Sequence, residues 1–326
     1  MLKLRQLIAV ALCLVLFSST SNAWFDVGHM AVAYVAYQQL TAAKKARVAV
    51  LLKKNPYYNT KWKALIPAGT PADQRDLMMF MIAATWPDEI KGDPTYNLPD
   101  GAAGGNVPPT DGTAWLNQGY ADLHQHKYWH FIDVPFAQDG TTPLVAIPSP
   151  NAETQIAIFR QTLTSGSNDK LKSYDLVWLM HVLGDVHQPL HSTTRVSAGE
   201  LNGDNGGNNE KVDATAVGNS TKKLHLYWDS LPGDAPQPSA AITMAITYGK
   251  TLAPADPVLA TKMDASDWIN ESFNIAETFV YSSPVGAGDG PFTITAAYND
   301  KAQKIAAERV ALAGQRLANI INNELK

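Results

Sequence analysis

The chain has 326 residues, a formal net charge of −4 at pH 7 and one cysteine, Cys13. That charge excludes a protein that grips a polyanion through a general excess of Lys and Arg, so positive charge for such a substrate must be local, and bound metal ions are an obvious source. A lone cysteine excludes an intrachain disulfide and leaves any zinc site to His, Asp, Glu and terminal groups.

In chain order, the first element is an export signal over residues 1–23. Lys3 and Arg5 precede an apolar run from Leu7 to Phe17, and Ser21-Asn22-Ala23 supplies the small residues that signal peptidase accepts. The run is shorter than the about 20 residues a membrane-spanning helix needs, and no later segment offers a longer one. The sequence therefore predicts a secreted or periplasmic protein without a membrane span, cleaved between Ala23 and Trp24. Residues 24–326 show no charged or low-complexity linker and no internal repeat, so one domain is expected.

Helical periodicity runs over Gly28–Leu52, Asp73–Ala84, Glu153–Leu163, Tyr174–His187, Pro257–Phe279 and Ala296–Leu325. In the last of these, Ile305, Val310, Leu312, Leu317, Ile320 and Ile321 form an apolar band with Lys and Arg between them. Alternating strand patterns are scarce. The expected fold is all-α, with long irregular loops at 92–118, 135–151, 197–221 and 282–290. Loops of that length in a compact domain are usually functional or pinned, and metal ligands beside them would pin them.

The most informative segment is His181-Val182-Leu183-Gly184-Asp185-Val186-His187-Gln188-Pro189-Leu190-His191. A four-residue spacing puts His181 and Asp185 on one helix face, where an imidazole and a carboxylate can share a metal. Pro189 is expected to end that helix, with His191 emerging near its C-terminus. The same H-x-x-x-D pairing recurs at His225 and Asp229. A single such pair is more often packed structure than a metal site, but two pairs plus His191, in a chain with eight histidines, favour metal binding. His187 is expected to point away from the His181 and Asp185 face, and His124 and His126 have no paired acid at helical spacing. No role is assigned to those three.

Three aromatic-rich segments complete the pattern: Trp24-Phe25-Asp26-Val27-Gly28-His29, Trp86-Pro87-Asp88-Glu89-Ile90-Lys91 and Tyr128-Trp129-His130-Phe131-Ile132-Asp133. Taken singly, each reads as core packing. In order and together with the His–Asp pairs, they resemble the type I nucleases, a family of trinuclear zinc single-strand nucleases and 3′-nucleotidases.

The resemblance implies three zinc ions. One would take Asp88, His130, His181 and Asp185; a close neighbour would take the amine and carbonyl of Trp24, His29 and a shared Asp185; a third would take His191, His225 and Asp229. It further implies that Asp88 orients the attacking water and that Lys91 steadies the phosphate. Phe131 would stack on a nucleobase while Asp133 accepts from its edge, and Asn208 would line the same pocket. Substrates would be single-stranded DNA or RNA and nucleotides, with no protein partner and a monomeric chain. Phe25 stands where many relatives carry Gly, which barely bears on metal binding because Trp24 would bind through its backbone.

Two other readings accompany this one. Zinc-dependent phospholipases C hold a similar cluster, but their final pair ends in Glu, where this chain has Asp229. A noncatalytic zinc-binding protein is the reading from outside the enzymes, and Lys91 argues against it.

Overall fold

The structure, a computed structural model, describes residues 24–286 and 290–326; the export signal read over residues 1–23, and residues 287–289 of one long loop, lie outside the described residues. Its framework is helical: α1 (Asp26–Gln38), α2 (Ala42–Leu52), α3 (Ala72–Ala83), α4 (Ala152–Thr164), α5 (Asp169–Val186), α6 (Leu224–Asp229), α7 (Pro238–Thr251), α8 (Ala265–Ile275) and α9 (Ala296–Glu324). Long irregular connections with short helical turns join them. The expected mainly helical class with long loops is the observed one.

The axis of the molecule is α5. Its N-terminus is set by Asn168, whose side chain accepts from the amides of Lys170 and Leu171, and Asp169 in the first turn complements the helix dipole. Every residue from Lys172 to Val186 is buried, because α4 packs on one side and α1, α2 and α9 on others. A helix hydrophobic all round can be enclosed in this way, but any polar side chain on it then needs a partner. Asp175 illustrates the rule, since one of its oxygens accepts from Asn117 Nδ2 at 2.7 Å. His181 and Asp185 lie on the same helix.

Strands contribute little. Pro135–Ala137 (β1) pairs in parallel with Thr194–Val196 (β2), placing Phe136 opposite Arg195, and Val212–Asp213 (β3) pairs in parallel with Phe292–Thr293 (β4). These short ladders tie the long loops to the helical body.

Several element boundaries differ from the periodic reading. The segment read as one helix from Gly28 to Leu52 is two, divided at Gln39–Thr41, where the Thr41 side chain accepts from the Lys44 amide and starts α2. Both helices bury apolar faces in the same core, so the pattern continues across the break. The helix expected from Pro257 begins only at Ala265, after the short turn Leu259–Thr261. Periodicity does not mark helix α7, whose Thr-rich face obscures the apolar stripe of Ala241, Ile242 and Ala245.

A buried ionic network joins the last helices to the centre. Glu271 on α8 accepts from Arg309 Nη1 at 2.7 Å and from both terminal nitrogens of Arg316 at 2.8 Å. Arg316 Nη1 also donates to His187 Nε2 at 2.9 Å, while His187 Nδ1 donates to the Leu183 carbonyl at 2.7 Å. Arg309 Nε donates to the His187 carbonyl at 3.1 Å. His187 thus faces away from Asp185 and fastens the end of α5 to α9.

Candidate metal and nucleotide site

Residues from four separate segments meet at the C-terminal half of α5. His181 and Asp185 project from α5 itself, Asp88 comes from the single turn Trp86–Glu89, His130 follows a short turn at Lys127–Trp129, and His29 sits in the first turns of α1. His130 Nδ1 lies 3.0 Å from His181 Nε2 and 3.1 Å from Asp185 Oδ2. His181 Nε2 lies 3.4 Å from Asp185 Oδ2 and 3.6 Å from Asp88 Oδ1. On the other side of the same carboxylate, His29 Nε2 is 3.2 Å from Asp185 Oδ1. Neither of those two atoms makes a hydrogen bond despite being buried at that distance, because the angle is wrong for one.

A second group lies across from the first. His191, on the turn Pro189–Ser192, and His225 and Asp229, on α6, bring their donor atoms together. His225 Nε2 is 3.0 Å from His191 Nε2 and 3.5 Å from Asp229 Oδ2. The two histidines are fixed from behind. His191 Nδ1 donates to the His130 carbonyl at 3.0 Å, and His225 Nδ1 donates to the Gly206 carbonyl at 2.7 Å. Gly206 has φ +57°, and a Cβ there would come within 2.5 Å of the Leu190 carbonyl oxygen, so only glycine lets this carbonyl face His225. Gln188 Nε2 donates to Asp229 Oδ1 at 2.7 Å and orients that carboxylate.

This pattern decides what the group can do. A carbonyl cannot donate, so the proton of each neutral imidazole is on Nδ1 and each Nε2 is a bare lone pair. Burial holds the His225 pKa down at about 4, and burial followed by the neighbouring His225 holds His191 well below the usual histidine range. Two lone pairs 3.0 Å apart repel unless a cation lies between them and the carboxylate. The donor set therefore fits a metal ion, as does the first group, where His181 Nδ1 donates to the Ala84 carbonyl at 2.7 Å and turns its own Nε2 inward. Burial depresses His29 to about 4 and His130 well below normal, and it raises Asp185 and Asp229. Those shifts express the cost of enclosing the groups without a compensating charge. Asp88 moves the other way: burial would raise it, but Lys91, His181 and His130 outweigh burial and hold it well below the carboxylate range. Lys91 Nζ sits 2.6 Å from Asp88 Oδ1.

Contrary to the expectation that His124 and His126 lack a paired acid, Asp122, four residues before His126, pairs with both of them, and the three form another compact cluster with different chemistry. His124 Nδ1 meets Asp122 Oδ1 at 2.7 Å, His126 Nε2 meets Oδ2 at 2.8 Å, and His126 Nδ1 meets the Tyr128 hydroxyl at 3.0 Å. The ring of His126 also stacks on Trp129. Each contact is an ordinary hydrogen bond, so the cluster is self-satisfied and braces the loop that carries His130.

Trp24 is fully buried, with Nε1 donating to the Gly184 carbonyl at 3.0 Å, and the Phe25 amide donates to the Asp229 carbonyl at 3.1 Å. These two bonds hold the start of the described chain between α5 and α6, beside His29.

A cavity of 250 Å³ opens onto the centre. Its walls include His130, His191, His225, Lys91, Phe131, Asp133 and Asn208, so all three residues expected to meet a nucleobase face the same space as the histidines. Burial, then the charge of Asp204, raises the Asp133 pKa to about 7. The reading by motif missed Asn106, Lys127, Asn205 and Lys223, which also line the cavity. Their loops carry no periodic signal, and only the folded chain shows that they meet; Asn106 Nδ2 donates to Asn205 Oδ1 at 3.1 Å across the wall.

A family-wide sequence model described as S1/P1 Nuclease matches residues 24–326. The chain belongs to the S1/P1 nuclease family. Nuclease S1 of Aspergillus oryzae is 25% identical over 252 residues, covering 65% of this chain and 80% of the fungal protein. Among the described residues, no helix is long and apolar enough to cross a membrane. Membership makes the chain a nuclease of that family, and the convergence of the His and Asp side chains gives this member groups able to hold metal at its centre.

Proposed function

We propose that this S1/P1 nuclease is an exported, single-domain, monomeric enzyme that uses three zinc ions to hydrolyse single-stranded DNA or RNA and to remove phosphate from 3′-nucleotides. The observation that carries the reading is the pair of inward-facing bare imidazole nitrogens, His191 Nε2 and His225 Nε2, opening onto the cavity that also holds Phe131 and Asp133. In the proposed assignment, Asp88, His130, His181 and Asp185 hold one ion. The Trp24 amine and carbonyl, His29 and the shared Asp185 hold the second, and His191, His225 and Asp229 hold the third.

Zinc, when bound, supplies concentrated positive charge and a water of pKa near 7, which meet the two obstacles to phosphodiester cleavage: charge repulsion and a poor leaving oxygen. The chain's own residues do the rest. Asp88, held ionised by Lys91 beside it, would accept a hydrogen bond from the attacking water and orient it for in-line approach. Lys91 offsets charge on the phosphate oxygens. Phe131 presents its ring to a base, a contact worth ~1–3 kcal/mol that tolerates any base, and Asp133 accepts from the base edge. A base reaches Phe131 only after leaving its stack, which costs little in a flexible strand and a few kcal/mol in a duplex, so single strands are preferred. The products are 5′-phosphorylated fragments, or a nucleoside and phosphate.

The test is hydrolysis by zinc-loaded protein of denatured DNA, duplex DNA, a 3′-nucleotide and phosphatidylcholine in parallel. Cleavage of denatured DNA and the 3′-nucleotide, with slow duplex cleavage, is the expected result. Preference for phosphatidylcholine would transfer the chemistry to a phospholipase C, and inertness toward all four would leave a zinc-binding protein.

A further inference from the structure

We propose that Lys127 and Lys223 form a second phosphate subsite beside the reaction centre, one that binds the neighbouring phosphate of an oligonucleotide. This rests on the nuclease reading and adds a requirement on substrate length.

The first support is the distribution of charge. A chain of net charge −4 places three lysines, Lys91, Lys127 and Lys223, around one small cavity whose only lining carboxylate among the described residues is Asp133. Lys91 is engaged with Asp88 at 2.6 Å, at the reaction centre itself. Lys127 and Lys223 stand on the walls of the same cavity as the histidines. Cations concentrated in a cleft focus the field on an anionic ligand far more than the same charges spread over a surface.

Size is the second support. At 250 Å³ the cavity lies below the ~300–1,000 Å³ typical of small-ligand pockets, so about one nucleotide fills it. The next phosphate of a strand must then pass its mouth. Lys127 and Lys223 both line the cavity and are half-buried, with part of each residue in solvent.

The third support is that the Lys127 ammonium and the Lys223 main chain are both held in place. The Lys127 amide donates to Asp100 Oδ2 at 2.7 Å, and its ammonium donates to the Gly104 carbonyl at 3.1 Å, a neutral acceptor that orients the group without cancelling its charge. Its stem crosses Gly105, where a Cβ would stand 2.8 Å from Lys127 Cδ. Lys223 immediately precedes α6, two residues before His225, and its strand-like pairing with Lys211 and the Leu224 amide bond to the Glu210 carbonyl at 2.9 Å fix its backbone. The Asn106 to Asn205 hydrogen bond ties together the loops that wall these two sides. A charge positioned before binding loses less freedom when it engages a phosphate.

The experiment compares zinc-loaded wild type with the double variants Lys127→Gln/Lys223→Gln and Lys127→Arg/Lys223→Arg. Each is assayed on a single-stranded oligonucleotide and on a 3′-mononucleotide, and each is titrated with a cleavage-resistant phosphorothioate oligonucleotide over a range of salt. The Gln pair should lose about tenfold in kcat/KM on the oligonucleotide, the scale of one charge-assisted hydrogen bond, and little on the mononucleotide. Its slope of log affinity against log salt should fall by about 0.7, the value for one phosphate contact on a single strand, and the Arg pair should restore both. An unchanged slope, or equal losses on both substrates, overturns the subsite. Failure of the wild type to cleave either substrate would instead refute the nuclease reading, while the binding slope still rules on the lysines.

Discussion

His191 and His225 face each other through their Nε2 atoms at 3.0 Å, and each is locked into that orientation by a backbone carbonyl behind its Nδ1. The carbonyls settle the tautomers, the tautomers settle where the lone pairs point, and two lone pairs meeting beside a buried carboxylate suit a cation. Binding free energy available only to the folded chain adds to its stability.

The base and phosphate contacts should separate by mutation. Phe131→Ala is expected to raise KM for nucleotides and oligonucleotides by about tenfold or more, from a stacking loss of ~1–3 kcal/mol, while leaving hydrolysis of a baseless aryl phosphodiester within about twofold. Steady-state kinetics on both substrates provides the check, and equal losses would remove the ring from the binding site.

Asp133 gives a pH dependence with a definite sign. Its folded pKa, raised to about 7 from 3.8, means that the folded state holds the proton more tightly than the unfolded chain. Its favourable contribution is complete below pH ~4 and is lost as pH rises through about 7. Asp133→Asn should therefore be more stable than wild type at pH 8, by about 2 kcal/mol or less because the half-buried group is partly solvated, with the difference vanishing near pH 4. Urea titrations at the two pH values measure it. The same variant should bind nucleotides more weakly at pH 8, where the carboxylate is the acceptor.

How much of this was legible in the sequence depends on the kind of signal. His181 with Asp185, and His225 with Asp229, are readable because a spacing of four is local helical geometry, and that geometry survives whatever surrounds it. The mainly helical class follows from the same periodicity. Thr41, by contrast, divides a continuous apolar pattern that both flanking helices need for burial, so periodicity alone runs through it. Lys127 and Lys223 are nearly a hundred residues apart on loops without period, and only the folded chain brings them to one cavity. His187 turns away from the His181 and Asp185 face, as its position on the helix predicts. Its partner Arg316 is invisible from spacing.

That network carries its own prediction. Glu271 answers two buried guanidinium groups, so Glu271→Gln should lower stability by about 3–5 kcal/mol by leaving their charge uncompensated. Arg309 also holds the His187 carbonyl, within the segment between Asp185 and His191, so loss of the network should loosen metal retention as well. Thermal unfolding with and without chelator tests both; a change below 1 kcal/mol would show the network to be dispensable.

Trp24 tests the export reading. An amine can bind metal only with a free lone pair, which a peptide nitrogen lacks because it is delocalised into the carbonyl. A chain beginning at Trp24 should hold one more zinc than a chain with a single extra residue before it, and should retain most of the activity that the longer form loses. Metal content and single-stranded DNA hydrolysis of the two forms measure this directly, and equal zinc and equal turnover would remove the terminal amine from the site.

The central claim is that three zinc ions held by these His, Asp and terminal groups make the catalyst. Its most direct test is to strip the chain, beginning at Trp24, with a chelator and follow hydrolysis of single-stranded DNA as zinc is returned in measured equivalents. The account predicts no hydrolysis without metal and a rate that climbs to a plateau at three zinc ions per chain. Full activity in the stripped protein, or a plateau at a single ion, would contradict it.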